Sequence, residues 1–157
     1  MKSEAPRKGV SGTGIVIADT SGLIAAFDTS TPESDRAFSV LADAGLVVLS
    51  PLVLAELDHV GRRELGQATA QSMIEDLTAQ TRIGAFEIAV ITADVLDQAN
   101  AVRTLYAGLN LDLADAVGVA LAADYETDAI LTLDHRDFRA LTPLTSHSSF
   151  RVLPADL

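Results

Sequence analysis

The sequence contains no cysteine, no tryptophan and only two lysines among its 157 residues. Without thiols there are no disulfides, no thiolate metal sites and no cysteine nucleophile, a pattern in keeping with a reducing compartment and an expected place in the cytoplasm. Both lysines, Lys2 and Lys8, stand within the first 14 residues, so beyond them every Lys-or-Arg position is arginine and no lysine is left for chemistry in a core. Aromatic residues make up only 4%, which leaves small and medium aliphatic side chains to fill the space between packed layers. Long apolar runs are missing too. The N-terminus has none of signal-peptide length, and no later run approaches the roughly 18 residues of a membrane span, so no membrane role is expected. Positive charge is scarce: 11 Lys and Arg stand against 22 Asp and Glu, giving a net charge of -11. That balance opposes nonspecific attraction to phosphate, and a nucleic-acid partner would need a local device.

What is present is enough for one domain with a sizeable core, since 48% of the residues are hydrophobic and the length leaves little room for a second. Residues 1–14, "MKSEAPRKGVSGTG", are polar and glycine-rich and read as a flexible tail. Their glycines precede a strand rather than follow one, so they do not form a phosphate cradle. The domain proper is expected over residues 15–157. It begins with "IVIA", a strand, followed by the helix start "DTSGLIAAF" and a second helix in which Thr31 is expected to cap, Pro32 to take the first helical position and Gly45 to stop the run. "LVVLS" is a short buried strand, and Ser50 and Pro51 open the helix "PLVLAELDHVGRR". Another amphipathic helix runs from about Gln67 to Gln80. "FEIAVI" alternates as a strand, Thr92 caps a further helix, "LDLADAVGVALAADY" is a helix apolar nearly all round, and "AILTL" is a strand. "DHRDFRAL" and a possible edge strand, "FRVLP", close the chain. Short aliphatic strands alternating with helices predict an α/β fold, a three-layer α/β/α sandwich around a mostly parallel sheet.

Four carboxylates fall in unusual places. In an open parallel sheet, sites form beyond the carboxyl ends of the strands. Asp19 ends the first strand and Asp134 ends "AILTL", so two acids reach one edge. The helix after Ser50 leaves that edge, and Glu56 lies within its apolar stripe of Leu52, Val53, Leu57 and Val60. The helix "LADAVGVALAADY" starts at the same edge and carries Asp115 near its beginning. Each acid has a plainer explanation: Asp19 as a helix cap, Asp115 as the partner of Asp112 in an arrangement like a capping box, Glu56 in an ion pair with Arg62 or Arg63, and Asp134 in a turn. Taken together, acids brought to one edge by independent elements predict a cation between them, because close buried carboxylates repel. Oxygen ligands of this kind suit Mg²⁺ or Mn²⁺. The histidines lack metal-ligand spacing and read as surface residues. Asp137 is expected to cap the short "FRAL" turn and Asp112 the helix of Asp115.

Some chemistries are excluded. A phosphoaspartyl phosphatase or a receiver domain wants a lysine in the core, and there is none; a nucleophile elbow and a Walker lysine are absent. Metal-assisted phosphodiester hydrolysis remains. The segments "IADTSGLIAAF", "SPLVLAELDHV", "LADAVGVALAADY" and "AILTLDHRDF" resemble, in order and spacing, the four acidic motifs of PIN-domain nucleases, in particular the VapC-type toxins of bacterial toxin-antitoxin pairs. The resemblance spans Ile15 to Pro154. It implies a Mg²⁺- or Mn²⁺-dependent endoribonuclease acting on structured RNA, tRNA or rRNA, by a metal-activated water that leaves a 5′-phosphate and a 3′-hydroxyl. It also implies a homodimer and inhibition by a cognate VapB-type antitoxin. Carried over by position, Asp19, Glu56, Asp115 and Asp134 are the catalytic acids, with Asp19 and Asp115 as direct metal ligands. Arg62, Arg63, Arg136 and Arg139 are then expected to contact phosphate. Two other classes share some of these features: a catalytically idle module of the same fold that binds a protein, and a metal-dependent phosphatase with an enclosed pocket.

Overall fold

Short aliphatic runs form the strands of this protein, and the capped amphipathic stretches between them form its helices. The computed structural model describes residues 14–157. The expected tail lies outside the described residues except for Gly14, whose carbonyl accepts hydrogen bonds from the N–H groups of Gly45 and Leu46. The elements run β1 (Ile15–Ala18), α1 (Thr20–Phe27), α2 (Ser34–Asp43), β2 (Leu46–Leu49), α3 (Pro51–Glu64) and α4 (Gln67–Arg82). They continue with β3 (Phe86–Ile88), α5 (Ala93–Leu105), α6 (Leu113–Asp124), β4 (Ala129–Leu131), α7 (His135–Ala140) and β5 (Arg151–Leu153).

The five strands form one sheet in the order β3-β2-β1-β4-β5, and every pairing is parallel. Ala18 aligns with Leu49 on one side and with Leu131 on the other. Side chains alternate across the pleat. Val16, Ala18, Val47 and Leu49 enter the layer packed by α1, α2, α3 and α4. Ile17, Val48 and Ile130 enter the opposite layer with α5, α6 and α7. Both faces are covered, which makes the three-layer α/β/α sandwich. Packing rather than ladder length holds these short strands. β4 has only three residues, all buried, and each such aliphatic side chain stabilises by roughly 1.5–3 kcal/mol against about 1 kcal/mol for a net hydrogen bond.

Local signals act as expected at several ends. The Ser50 hydroxyl accepts from the N–H of Leu52 with Pro51 next to it, and Thr92 Oγ1 accepts from the N–H of Val95. The start of α2 differs from expectation. Asp28 Oδ1 takes both the N–H (3.1 Å) and the hydroxyl (2.6 Å) of Ser30, and the Thr31 hydroxyl turns back to the Asp28 carbonyl. These turns occupy the groups expected to cap, so Pro32 lies before the helix and α2 begins at Ser34.

Candidate active site

The strand order sets the position of the site. The chain steps outward from β1 through β2 to β3, then returns to the other side of β1 with β4 and β5. The switch between β1 and β4 is where an open α/β sheet offers a crevice at its carboxyl edge. The Asp19 N–H donates to the Leu131 carbonyl at 2.9 Å, joining the ends of the two strands. An open cleft of about 370 Å³ lies there, lined by Asp19, Glu56, Glu64, Asp112, Asp115 and Asp134 and, among the described residues, by no Lys, Arg or His. The four acids singled out in the sequence therefore meet in one place, from the end of β1, from α3, from α6 and from the loop after β4.

Each arrives by a different local route. Asp19 occupies the cap position of α1 with an extended backbone, yet its side chain makes no capping bond. Its Oδ2 accepts instead from the Thr132 hydroxyl at 2.7 Å and from the Ser21 hydroxyl at 3.4 Å. Glu56 lies half-buried in the second turn of α3. It has no ion pair among the described residues, where Arg63 reaches Glu64 instead, at 3.5 Å. Asp115 sits in the first turn of α6, where its N–H is capped by Asp112 Oδ1 at 2.8 Å. The capping side chain is thus Asp112, which leaves the Asp115 carboxyl to the cleft. Asp134 caps α7 by accepting from the N–H of Asp137, and its own N–H donates to Thr132 Oγ1 at 2.9 Å.

Crowding of like charges is visible in the acidities. Burial, and then the neighbouring Asp19, Asp112, Asp134 and Glu56, push the Asp115 carboxyl up to about 8. Burial also raises Asp19, against the hydrogen bonds from Thr132 and the Thr20 N–H, while Asp134 and Asp112 add to the rise. Glu56 is raised by burial, Asp112 and Asp19. The Thr20 hydroxyl, near enough to Glu56 to lower it, is buried and forms no hydrogen bond of ordinary length among the described residues. Such a set of acids is costly without a counter-charge. One carboxylate oxygen each from Asp115, Asp134 and Asp137 lies within 4.8 Å of the others. Hard oxygen donors converging in a cleft that has no cationic side chain among the described residues fit a divalent ion of the Mg²⁺ or Mn²⁺ class.

Several expectations change. Asp137 does not cap α7, because Asp134 does and Asp137 stands in the first turn; burial and Asp134 raise its carboxyl beside the other acids. The Ser21 oxygen accepts the Leu133 N–H at 2.9 Å and contacts Thr132. Arg139 donates from Nη1 to Asp156 Oδ2 at 2.7 Å and from Nη2 to the other oxygen. That pairing holds the Asp156 carboxyl down at about 2, helped by the Val152 N–H, and ties Arg139 to the end of β5. Arg62 and Arg136 make no ion pair among the described residues. The sequence reading did not single out Thr132 or Ser21 as site residues, and the only local sign was a hydroxyl two positions before Asp134.

Residues 16–142 match the PIN domain family. Ribonuclease VapC26 of Mycobacterium tuberculosis is 36% identical over 140 residues, covering 88% of this chain and all of that protein. Among solved structures, the fold is similar to that of M. tuberculosis VapC20, a sarcin-ricin loop cleaving toxin, with a TM-score of 0.66 at 20% identity, over 77% of this chain and 91% of that one. It is also similar to a chain of VapBC2 from Rickettsia felis, solved bound to a DNA fragment from its promoter, with a TM-score of 0.61 at 17% identity, over 83% and 96% of the two chains.

Proposed function

This chain belongs to the PIN-domain family, among its VapC-type ribonucleases, and we propose that it is a toxin that hydrolyses RNA phosphodiester bonds with a divalent cation held by Asp19, Glu56, Asp115 and Asp134. The observation that carries the reading is the convergence of these four side chains, from four separate elements, in a cleft lined among the described residues by no cationic side chain. Asp19 and Asp115 would hold the ion directly, and Glu56 and Asp134 would act directly or through water. When bound, Mg²⁺ or Mn²⁺ lowers the pKa of a coordinated water and offsets charge on the phosphate and leaving oxygen.

The remaining work falls to the chain. Asp112 fixes the first turn of α6 through the Asp115 N–H, so the Asp115 carboxyl faces the cleft on a rigid element. Its raised pKa means that it would give up a proton on taking the cation. Arg62, Arg63 and Arg136 offer the phosphate contacts that the acidic surface otherwise lacks, and Arg139 stays with Asp156. The substrate is structured RNA, tRNA or rRNA, and the products carry a 5′-phosphate and a 3′-hydroxyl. The partner is a small antitoxin of the VapB type, and the active form is a homodimer in the cytoplasm, built from a nuclease domain over residues 15–157 behind a short tail. The VapC ribonuclease and VapBC relatives support the RNA substrate and the antitoxin partner. Among the described residues no helix is long and apolar enough to cross a membrane.

The test is cleavage of total RNA by the purified chain, with the ends mapped, alongside Asp19→Asn and a chelated control. Discrete cuts that need the cation and disappear in the variant are the expected result. Cuts that persist in both controls would remove the reading.

A further inference from the structure

Asp19 is held by a short chain of hydroxyls that come from the other side of the sheet switch. Thr132, the first residue after β4, is fully buried. Its hydroxyl donates to Asp19 Oδ2 at 2.7 Å and accepts the Asp134 N–H at 2.9 Å. Ser21, in the first turn of α1, accepts the Leu133 N–H at 2.9 Å and lies 3.1 Å from Thr132 Oγ1. A hydroxyl has one proton and two acceptor positions. With the Thr132 proton on Asp19 and one lone pair on the Asp134 N–H, the Ser21 proton lies between Thr132 Oγ1 at 3.1 Å and Asp19 Oδ2 at 3.4 Å, and the shorter contact aligns the groups as Ser21 to Thr132 to Asp19. Bonds in such a chain strengthen one another. Both hydroxyl contacts fall on Oδ2, and neither falls on Oδ1.

This asymmetry matters for cation choice. Mg²⁺ demands near-octahedral geometry and usually takes one oxygen from a carboxylate, whereas the larger Ca²⁺ accepts both oxygens of one group. The buried Thr132 hydroxyl takes one lone pair of Oδ2 and fixes the carboxylate plane, which disfavours rotation to offer both oxygens to one ion. Resting on the metal reading above, we infer that Thr132, supported by Ser21, is a positioning residue that confines Asp19 to single-oxygen ligation and so sets the site's preference for Mg²⁺ or Mn²⁺ over Ca²⁺.

The test is calorimetric titration of the purified full chain with Mn²⁺ and separately with Ca²⁺, taking the ratio of the two dissociation constants, with melting temperatures recorded in parallel. Thr132→Val keeps the shape and removes the hydroxyl. It is expected to move the ratio toward Ca²⁺ by about tenfold or more, in the range seen when groups behind metal ligands are removed. Thr132→Ser keeps the hydroxyl and restores the wild-type ratio. Ser21→Ala removes only the outer member and shifts the ratio less, which decides the matter if the valine variant does not fold. A ratio unchanged in a folded valine variant, or in Ser21→Ala when the valine variant is unfolded, would overturn the inference while leaving the metal reading in place. Absence of Mn²⁺ binding by the wild type would remove the metal reading and the inference together.

Discussion

Gly22 lies so close to β4 that a Cβ at this position would stand 2.5 Å from the Leu131 carbonyl oxygen. The obstacle is backbone, which cannot rotate away as a flexible side chain can. The first turn of α1 rests directly on the end of β4, which is also how Ser21 comes within reach of Leu133 and Thr132. Gly22→Ala is therefore expected to destabilise the fold by about 1–3 kcal/mol, as overpacking does, although alanine favours an isolated helix. Urea denaturation gives the value, and a stability equal to wild type would show that α1 can retreat from β4 freely.

Replacing Asp19 or Asp115 by asparagine removes a proposed ligand while relieving like-charge crowding. RNA cleavage should fall by about a hundredfold or more, since ion-based charge stabilisation supplies several kcal/mol and each 1.36 kcal/mol is tenfold in rate. Melting temperature without divalent ions should hold steady or rise. Single-turnover cleavage beside a thermal melt separates the two effects, and a large drop in melting temperature would assign the acid a structural role.

The acidities make stability depend on pH in a definite direction. Asp115 stands near 8 in the fold against about 3.9 in an unfolded chain. Between these values the folded protein holds more protons than the unfolded one, so stability falls as pH rises from about 4 toward 8. Asp19 and Glu56 are raised and act in the same sense. Asp156, held at about 2, adds nothing to this slope, because its contribution is complete above its unfolded value and is lost only as pH falls toward 2. In chelator the melting temperature should drop by at least about 2–4 °C between pH 5 and pH 8, and Asp115→Asn should flatten the curve. A melting temperature that rises over that interval would contradict the crowding.

Charge reversal separates the arginines. Arg62→Glu and Arg136→Glu should weaken RNA binding and reduce the salt dependence by about one counterion-release contact each. Arg139→Glu should instead lower stability by breaking the pair with Asp156, with little change in the salt slope. Filter binding at several ionic strengths provides the comparison. An equal loss of slope for Arg139 would mean that its guanidinium leaves Asp156 for phosphate.

The same side chains show what a linear reading can and cannot see. Ser50 with Pro51 and Thr92 cap as expected because a cap acts within three residues of itself. The sheet edge at which Asp19, Glu56, Asp115 and Asp134 meet was legible because strand and helix alternation alone dictates which ends face the same way. The start of α2 was not, since Asp28, Ser30 and Thr31 offer competing local bonds whose winner depends on packing. Asp134 and Asp137 are three apart, and nothing local distinguishes the one that caps from the one that sits in the first turn. Ser21 and Thr132 could not be paired from sequence, being 111 residues apart.

That separation also governs timing. β1 carries Asp19 near the start of the chain, and its partner β4 with Asp134 comes near the end. Contacts so distant in sequence close late in folding, and synthesis proceeds at only about 5–20 residues per second. A nascent chain still short of Ala129 carries three of the four acids but has no β4 to pair with β1, so the cleft cannot assemble around them until β4 has been made.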